Sequence, residues 1–256
     1  LEDAQGAGLQ PDGELKVIAE GEHPRAGEKP GEIADPPGKK KPDHGPRAYI
    51  RMAVGVSPDA APTGVKGLRP RIARREDLGL SKAEFAVLRR LDTPQKIQDF
   101  VSALPANFET RGQTCLSVRE VLRQRRAHCI EGAFVAACAL WIHGEPPYVM
   151  HLDCEPSDYP HVIALFRRKG AWGAISKSNG VALRYRDPVY RSLRELALSY
   201  FHEYSDKRGR RTLRSYSGAF DMRRLDVTKW ACSETNCWEA HDRLAHLRHY
   251  PLVHAH

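Results

Sequence analysis

The sequence predicts an α+β fold, and three observations carry that prediction. Four segments with helical apolar spacing fill residues 81–144, four short apolar runs follow over 148–186, and helical patterning returns at 192. Helices first, strands next and a helix after them is the order of an α+β domain rather than of alternating β-α units. A tight Lys169-Gly170 turn between two of the apolar runs marks an antiparallel hairpin. The first 70 residues stand apart from this pattern. They hold 10 of the 18 prolines and 11 of the 20 glycines, with Tyr49 as their sole aromatic. Such a composition buries too little apolar surface to offset its ordering entropy.

The expected organisation is therefore a disordered Pro/Gly-rich extension over 1–70 and a folded domain over 71–256, with its core at about 80–204 and a C-terminal strand and helix at 212–250. In SKAEFAVLRRL (81–91), Phe85, Leu88 and Leu91 share one helical face behind a capping serine. Thr93-Pro94 is an N-cap followed by proline at the first helical position, and Ile97, Phe100, Val101 and Leu104 continue that helix to Pro105. Ser117 and Glu120 form a capping box before VREVLRQRR, with Glu120 reaching back to the backbone of Ser117. CIEGAFVAACALWIHG (129–144) is apolar around most of its circumference, so it reads as a buried helix ending at Gly144. YVMHLDC (148–154), HVIALFRR (161–168), AWGAIS (171–176) and VALRYR (181–186) are the strand candidates. A second capping box, Ser192 and Glu195, opens a helix over 192–204. A further strand is expected in TLRSYSGAFDMRRL, and a last helix over 233–247.

Composition removes several function classes. The longest apolar stretch, Ala133 to Ile142, is far short of the roughly 20 residues of a membrane-spanning helix. LEDAQGAGLQ has neither the basic nor the apolar region of a secretory signal. Six cysteines in 256 residues are too sparse for a disulfide scaffold and fit reduced thiols, so a cytoplasmic location is expected. The formal charge of +8 divides into −1 over residues 1–70 and +9 over the remainder, so the basic excess belongs to the folded part. RQRR (123–126), RRKG (167–170) and DKRGRR (206–211) could form a nucleic-acid patch, but no helix-turn-helix, RRM or aromatic stacking pattern accompanies them. Cys232, Cys237, His241 and His246 are residue types that zinc accepts, yet their spacing matches no common finger, and no metal is assigned.

Cys129 carries the chemistry. It stands at the start of a buried helix, where the positive end of the dipole and unpaired N–H groups favour the thiolate. His161 opens an apolar strand directly after the turn DYP, and so can present an imidazole at the sheet's end to a helix-start thiol. His128 adjoins Cys129 but, as a sequence neighbour, is expected to point away to the rim. Glu131, in the first turn, suits the dipole and reads as a cap. Lys177 and Arg184 flank the expected cleft, either as ligands for a substrate carboxylate or as solvated strand-end charges.

RRAHCIEGA, PHVIALFRRKGAWGAISKSN and the helices upstream resemble the transglutaminase-like superfamily of papain-type thiol enzymes, over about Leu80 to Tyr204, in a bacterial branch. The resemblance implies a papain-like core with helices packed on an antiparallel sheet, Cys129 as nucleophile and His161 as general base and acid. In the family an Asp just past a Trp orients the histidine. Here Trp172 is in place, but the matching position is Ser176, with Asn179 three residues later and Asp187 beyond it. Asn179 is ranked first as the third member, as in papain-type triads, with Ser176 and Asp187 as alternatives. Trp172 and Lys177 are expected to contact the substrate. The expected function is thiol-dependent acyl transfer on an amide or ester, as a peptidase, amidase or transamidase, without a cofactor, on a peptide or amide-bearing substrate. The alternative is a non-catalytic module of the same fold that binds a partner, nucleic acid included, through its basic surface.

Overall fold

A computed structural model describes residues 72–110 and 112–253. The expected extension over 1–70 lies outside the described residues. Helices α1 (Arg75–Leu78), α2 (Lys82–Arg89), α3 (Pro94–Ala103), α4 (Val118–Gln124) and α5 (Cys129–Ile142) come first. Strands β1 (Tyr148–Cys154), β2 (His161–Arg168), β3 (Ala171–Ile175) and β4 (Arg186–Tyr190) follow. After α6 (Leu193–Leu198) come β5 (Leu213–Ser217), β6 (Phe220–Asp221), α7 (Trp238–Ala245) and β7 (His249–Pro251). The fold is α+β. No described helix is long and apolar enough to cross a membrane.

Every described strand pairing is antiparallel, in the order β4-β3-β2-β1-β5-β7, with β6 also on β1. The β2–β3 hairpin turns through Lys169 (φ 50°) and Gly170 (φ 85°), the positive-φ pair that the right-handed strand twist favours. Both sheet faces are covered. Val149, Val162, Ala164, Phe166 and Ile175 face a core shared with α2 to α5 and α7. Met150, Leu152, Ile163, Leu165, Trp172 and Ala174 face a second core built on Leu193, Leu196, Ala197, Tyr200 and Tyr204. Alternating side chains thus feed opposite cores, which explains why β2 reads as an unbroken apolar run.

Helix α5 is the centre of the first core. From Ile130 to Ile142 all its residues are buried, enclosed by α2, α3 and α4 on one side and β1 and β2 on the other. The caps of Ser81 and Thr93 form as expected. That of Ser117 forms only in part: its hydroxyl accepts from Glu120 N, but the Glu120 carboxylate turns to Arg123 and Gln124. The first N–H groups of α4 are occupied from afar instead, by the carbonyls of Trp230 and Ala231. Three elements differ from expectation. Residues 181–183 are bends and β4 begins only at Arg186; α6 ends at Leu198, six residues early; and the last helix is confined to Trp238–Ala245.

Candidate active site

Cys129 is the first residue of α5, His161 the first of β2, and Ser176 follows β3 directly. All three therefore come to one end of the sheet, where α5 begins. Cys129 stays partly exposed, directly after the N-cap His128. Burial pushes the thiol up, but the His161 charge first, and the His128 ring after it, outweigh burial and hold Cys129 well below an ordinary thiol.

His161 is 6% exposed, and its Nε2 lies 2.8 Å from Ser176 Oγ. The Ser176 hydroxyl is also bonded to the Leu183 carbonyl, which can only accept. The serine proton therefore goes to Leu183, and Ser176 accepts from His161 Nε2–H. That tautomer leaves Nδ1 to exchange a proton with Cys129. Leu183 takes a left-handed backbone (φ 56°), with its N–H donated to Glu203 Oε2. Gln98, buried on α3, grips Ser176 from the other side: Ser176 N donates to Gln98 Oε1 and Gln98 Nε2 donates to Ser176 O, both at 2.9 Å.

Of the three expected third members, Ser176 is the one that meets the His161 ring. Asn179 is exposed in the bend beyond β3, and Asp187 is exposed on β4, while the imidazole pairs with Ser176. The substrate contacts are corrected as well. Trp172 is buried in the second core beneath the Arg167 guanidinium. Lys177 is 4% exposed and donates from Nζ to the Leu104 carbonyl at 2.8 Å, so it ties the chain after β3 to the end of α3. Burial and the Arg184 charge lower its pKa. Its stem crosses α5 at Gly132, where an added Cβ would sit 2.4 Å from the Lys177 Cβ.

His128 is not a rim residue. As N-cap it has an extended backbone (φ −101°, ψ −170°), so helical spacing does not direct its side chain. Its Nε2 lies 3.0 Å from Thr114 O and 3.2 Å from Glu131 Oε1. Burial works against its charge, but hydrogen bonds to Cys129 and Glu131 raise it to about 11. Glu131 is fully buried and receives Asn107 Nδ2, Thr114 Oγ1, Leu116 N and His128 N. It does cap the helix, and it also ties Asn107, Thr114 and Leu116 to the first turn of α5. Its own burial raises its carboxyl, which His128, Asn107 and the Leu116 N–H more than reverse.

No protein-family model and no curated protein matches the chain.

One arginine of each basic cluster is held in an ion pair: Arg123 with Glu120, Arg168 with Glu145, Arg210 with Asp206. Among the described residues no three Cys, His, Asp or Glu side chains converge as metal ligands. His241 instead pairs with Asp242, and Cys237 is buried behind Cys115.

Proposed function

We propose that the chain is a thiol enzyme of transglutaminase-like, papain-related architecture that transfers acyl groups from an amide or ester. The observation that carries this reading is the His161–Ser176 pair at the end of the sheet where Cys129 opens α5, in which an acceptor-only carbonyl fixes the tautomer of the imidazole. The order of elements supports it: a nucleophile at a helix start, a histidine at a strand start, and a polar partner just past the next strand.

In the proposed cycle the Cys129 thiolate attacks the carbonyl carbon and an S–C bond forms. The N–H groups of Cys129 and Ile130, which have no intrahelical acceptor, face the developing oxyanion. His161, protonated at Nδ1, gives that proton to the leaving amine or alcohol as the C–N or C–O bond breaks. Water or an amine then attacks the thioester, His161 takes its proton, and the S–C bond breaks to restore the thiolate. Phe108, Tyr159 and Val181 are exposed apolar side chains on the segments that adjoin Asn107, His161 and Ser176, and they suit a polypeptide substrate laid across the site.

An activated ester tests the proposal. Wild-type protein should accumulate an acyl adduct on Cys129, detectable by peptide mass spectrometry, and Cys129→Ala and His161→Ala should abolish it. A wild type that forms no adduct at any pH between 5 and 9 would reject acyl transfer and leave the binding-module reading.

A further inference from the structure

Leu183 has a left-handed backbone (φ 56°), which a bulky side chain rarely adopts. Such a residue persists only where its surroundings fix it from several sides. Here two side chains hold it. The Leu183 N–H donates to Glu203 Oε2 at 2.6 Å, and the Leu183 carbonyl takes the Ser176 proton. These groups belong to the two peptides that meet at the Leu183 Cα, so holding both sets φ and ψ together. The carbonyls that follow are also taken. Tyr200 Oη donates to Arg184 O at 3.0 Å, and Arg186 Nη1 donates to the oxygens of Arg184 and Tyr185.

Glu203 comes from the turns after α6, between Tyr200 and Tyr204, which are buried in the second core. Its other oxygen, Oε1, receives Arg186 Nη2 from β4. Each guanidinium nitrogen of Arg186 has an acceptor: Nε meets Ser199 Oγ, Nη1 the Arg184 and Tyr185 carbonyls, and Nη2 both Ser199 O and Glu203. The group also lies over the Tyr200 ring, 4.1 Å from its centroid. Arg186 is thus a fixed cation. It holds one oxygen of Glu203 and leaves the other aimed at Leu183.

The geometry points to Glu203 as a positioning residue for the reaction: braced by Arg186, it keeps Leu183 left-handed, and the carbonyl so placed directs the Ser176 hydroxyl that orients His161. The inference rests on the thiol-enzyme reading of the site. It gives the buried carboxylate chemistry of this region a place without charging the imidazole. The Glu203 charge is balanced by Arg186 and reaches His161 only through a neutral carbonyl and a neutral hydroxyl. An imidazole that must lose and regain its proton in each cycle is then oriented, and it is not held in its charged form.

The test is a double-mutant cycle on activated-ester turnover in the full chain, with each rate taken per folded molecule. Glu203→Gln cannot satisfy Arg186 and Leu183 together, since only one of its two terminal atoms accepts. It should lower kcat by roughly 10-fold or more and leave KM within about 2-fold, a split that a purely structural ion pair would not produce. Added to Ser176→Ala, it should lower kcat by less than about 2-fold further, because the two residues act in one chain. Leu183→Gly, which adopts the left-handed backbone freely, should recover about 3-fold or more of the kcat lost in Glu203→Gln. An unchanged kcat in Glu203→Gln, a fully additive loss with Ser176→Ala, or no recovery with glycine would overturn the role.

Should Glu203→Gln fail to fold, Glu203→Asp decides. It keeps the charge opposite Arg186 but is one methylene too short to reach Leu183 as well, so kcat should fall similarly, and a wild-type kcat overturns the role. The ring ¹⁵N shifts of His161 separate this inference from the acyl-transfer reading. They are measured in the Cys129→Ala chain at pH 9, where an imidazole is neutral. The single tautomer protonated at Nε2 should give way to averaged shifts when Glu203→Gln is added. Identical shifts in the two proteins overturn the role of Glu203. A changed tautomer, together with a wild type that forms no acyl adduct, removes acyl transfer and leaves Glu203 as the residue that orients His161.

Discussion

Ser176 Oγ accepts from His161 Nε2 at 2.8 Å while giving its own proton to the Leu183 carbonyl. One hydroxyl thus orients the imidazole and closes the 178–183 bend, and a carboxylate could do only the first. Ser176→Ala should slow ester turnover by roughly 10–100-fold, less than the roughly 100–10,000-fold of the general acid–base itself, because Ser176 only orients the imidazole. Ser176→Asp should give no gain, because its carboxylate would face the Leu183 oxygen. A turnover rate above wild type in Ser176→Asp would refute this account of the position.

Gln98 holds both backbone groups of Ser176 in a buried setting. Gln98→Leu leaves an N–H and a carbonyl without partners, at about 1–3 kcal/mol for each group left unsatisfied. Urea unfolding should show a loss of about 2–6 kcal/mol, with turnover reduced in the fraction that stays folded. Wild-type stability in this variant would mean that Ser176 is held by other means.

Gly132 lies in the second half-turn of α5, against Lys177. Gly132→Ala puts a methyl group 2.4 Å from the Lys177 Cβ, a stem atom fixed by the adjoining backbone and not the free end of the chain. Overpacking of this kind costs about 1–3 kcal/mol, more than the helix gains from alanine. Thermal unfolding should therefore occur below wild type. A raised Tm would show that the two elements have room to separate.

Glu131 makes stability depend on acid. Its folded pKa lies below the unfolded value, so the carboxylate stabilises the fold above about pH 4.3, and that contribution is lost as the pH falls through the folded value. His128 has the opposite sign: raised to about 11, it contributes fully below its unfolded value near 6.5 and loses that contribution as the pH approaches 11. Glu131→Gln should be less stable than wild type at pH 7, and the difference should shrink steadily below pH 4. A difference that stayed constant to pH 3 would argue against a buried carboxylate.

The elements were legible where pattern and cap agreed. Ser81, Thr93-Pro94 and the apolar run after Cys129 give helices at the expected places, because each start is set by local hydrogen bonding. The strand expected over 181–186 failed for a non-local reason: Glu203 and Ser176 hold Leu183 in a left-handed turn, against the β-propensity of its neighbours. Ser176 itself carried a readable signal. With Ala164 opposite Ile175, continuing the register sets Ser176 beside Ile163, diagonal to His161 and of the same parity. Asn179 has the other parity and lies past the strand's end. Gln98 was visible too, as a polar residue between Ile97 and Val101 on the buried side of α3.

By itself the sequence determined the α+β order, the buried helix that starts at Cys129, and His161 at the head of a strand, since periodicity, caps and turns are written over a few neighbouring residues. Only the tertiary structure decided which groups meet at the start of α5. The extended N-cap backbone turns His128 inward onto Glu131, the register of β2 and β3 chooses Ser176 over Asn179, and the approach of Lys177 to Gly132 removes that lysine from the substrate side. These are contacts between residues distant in the chain or freed from helical geometry, and no local period encodes them.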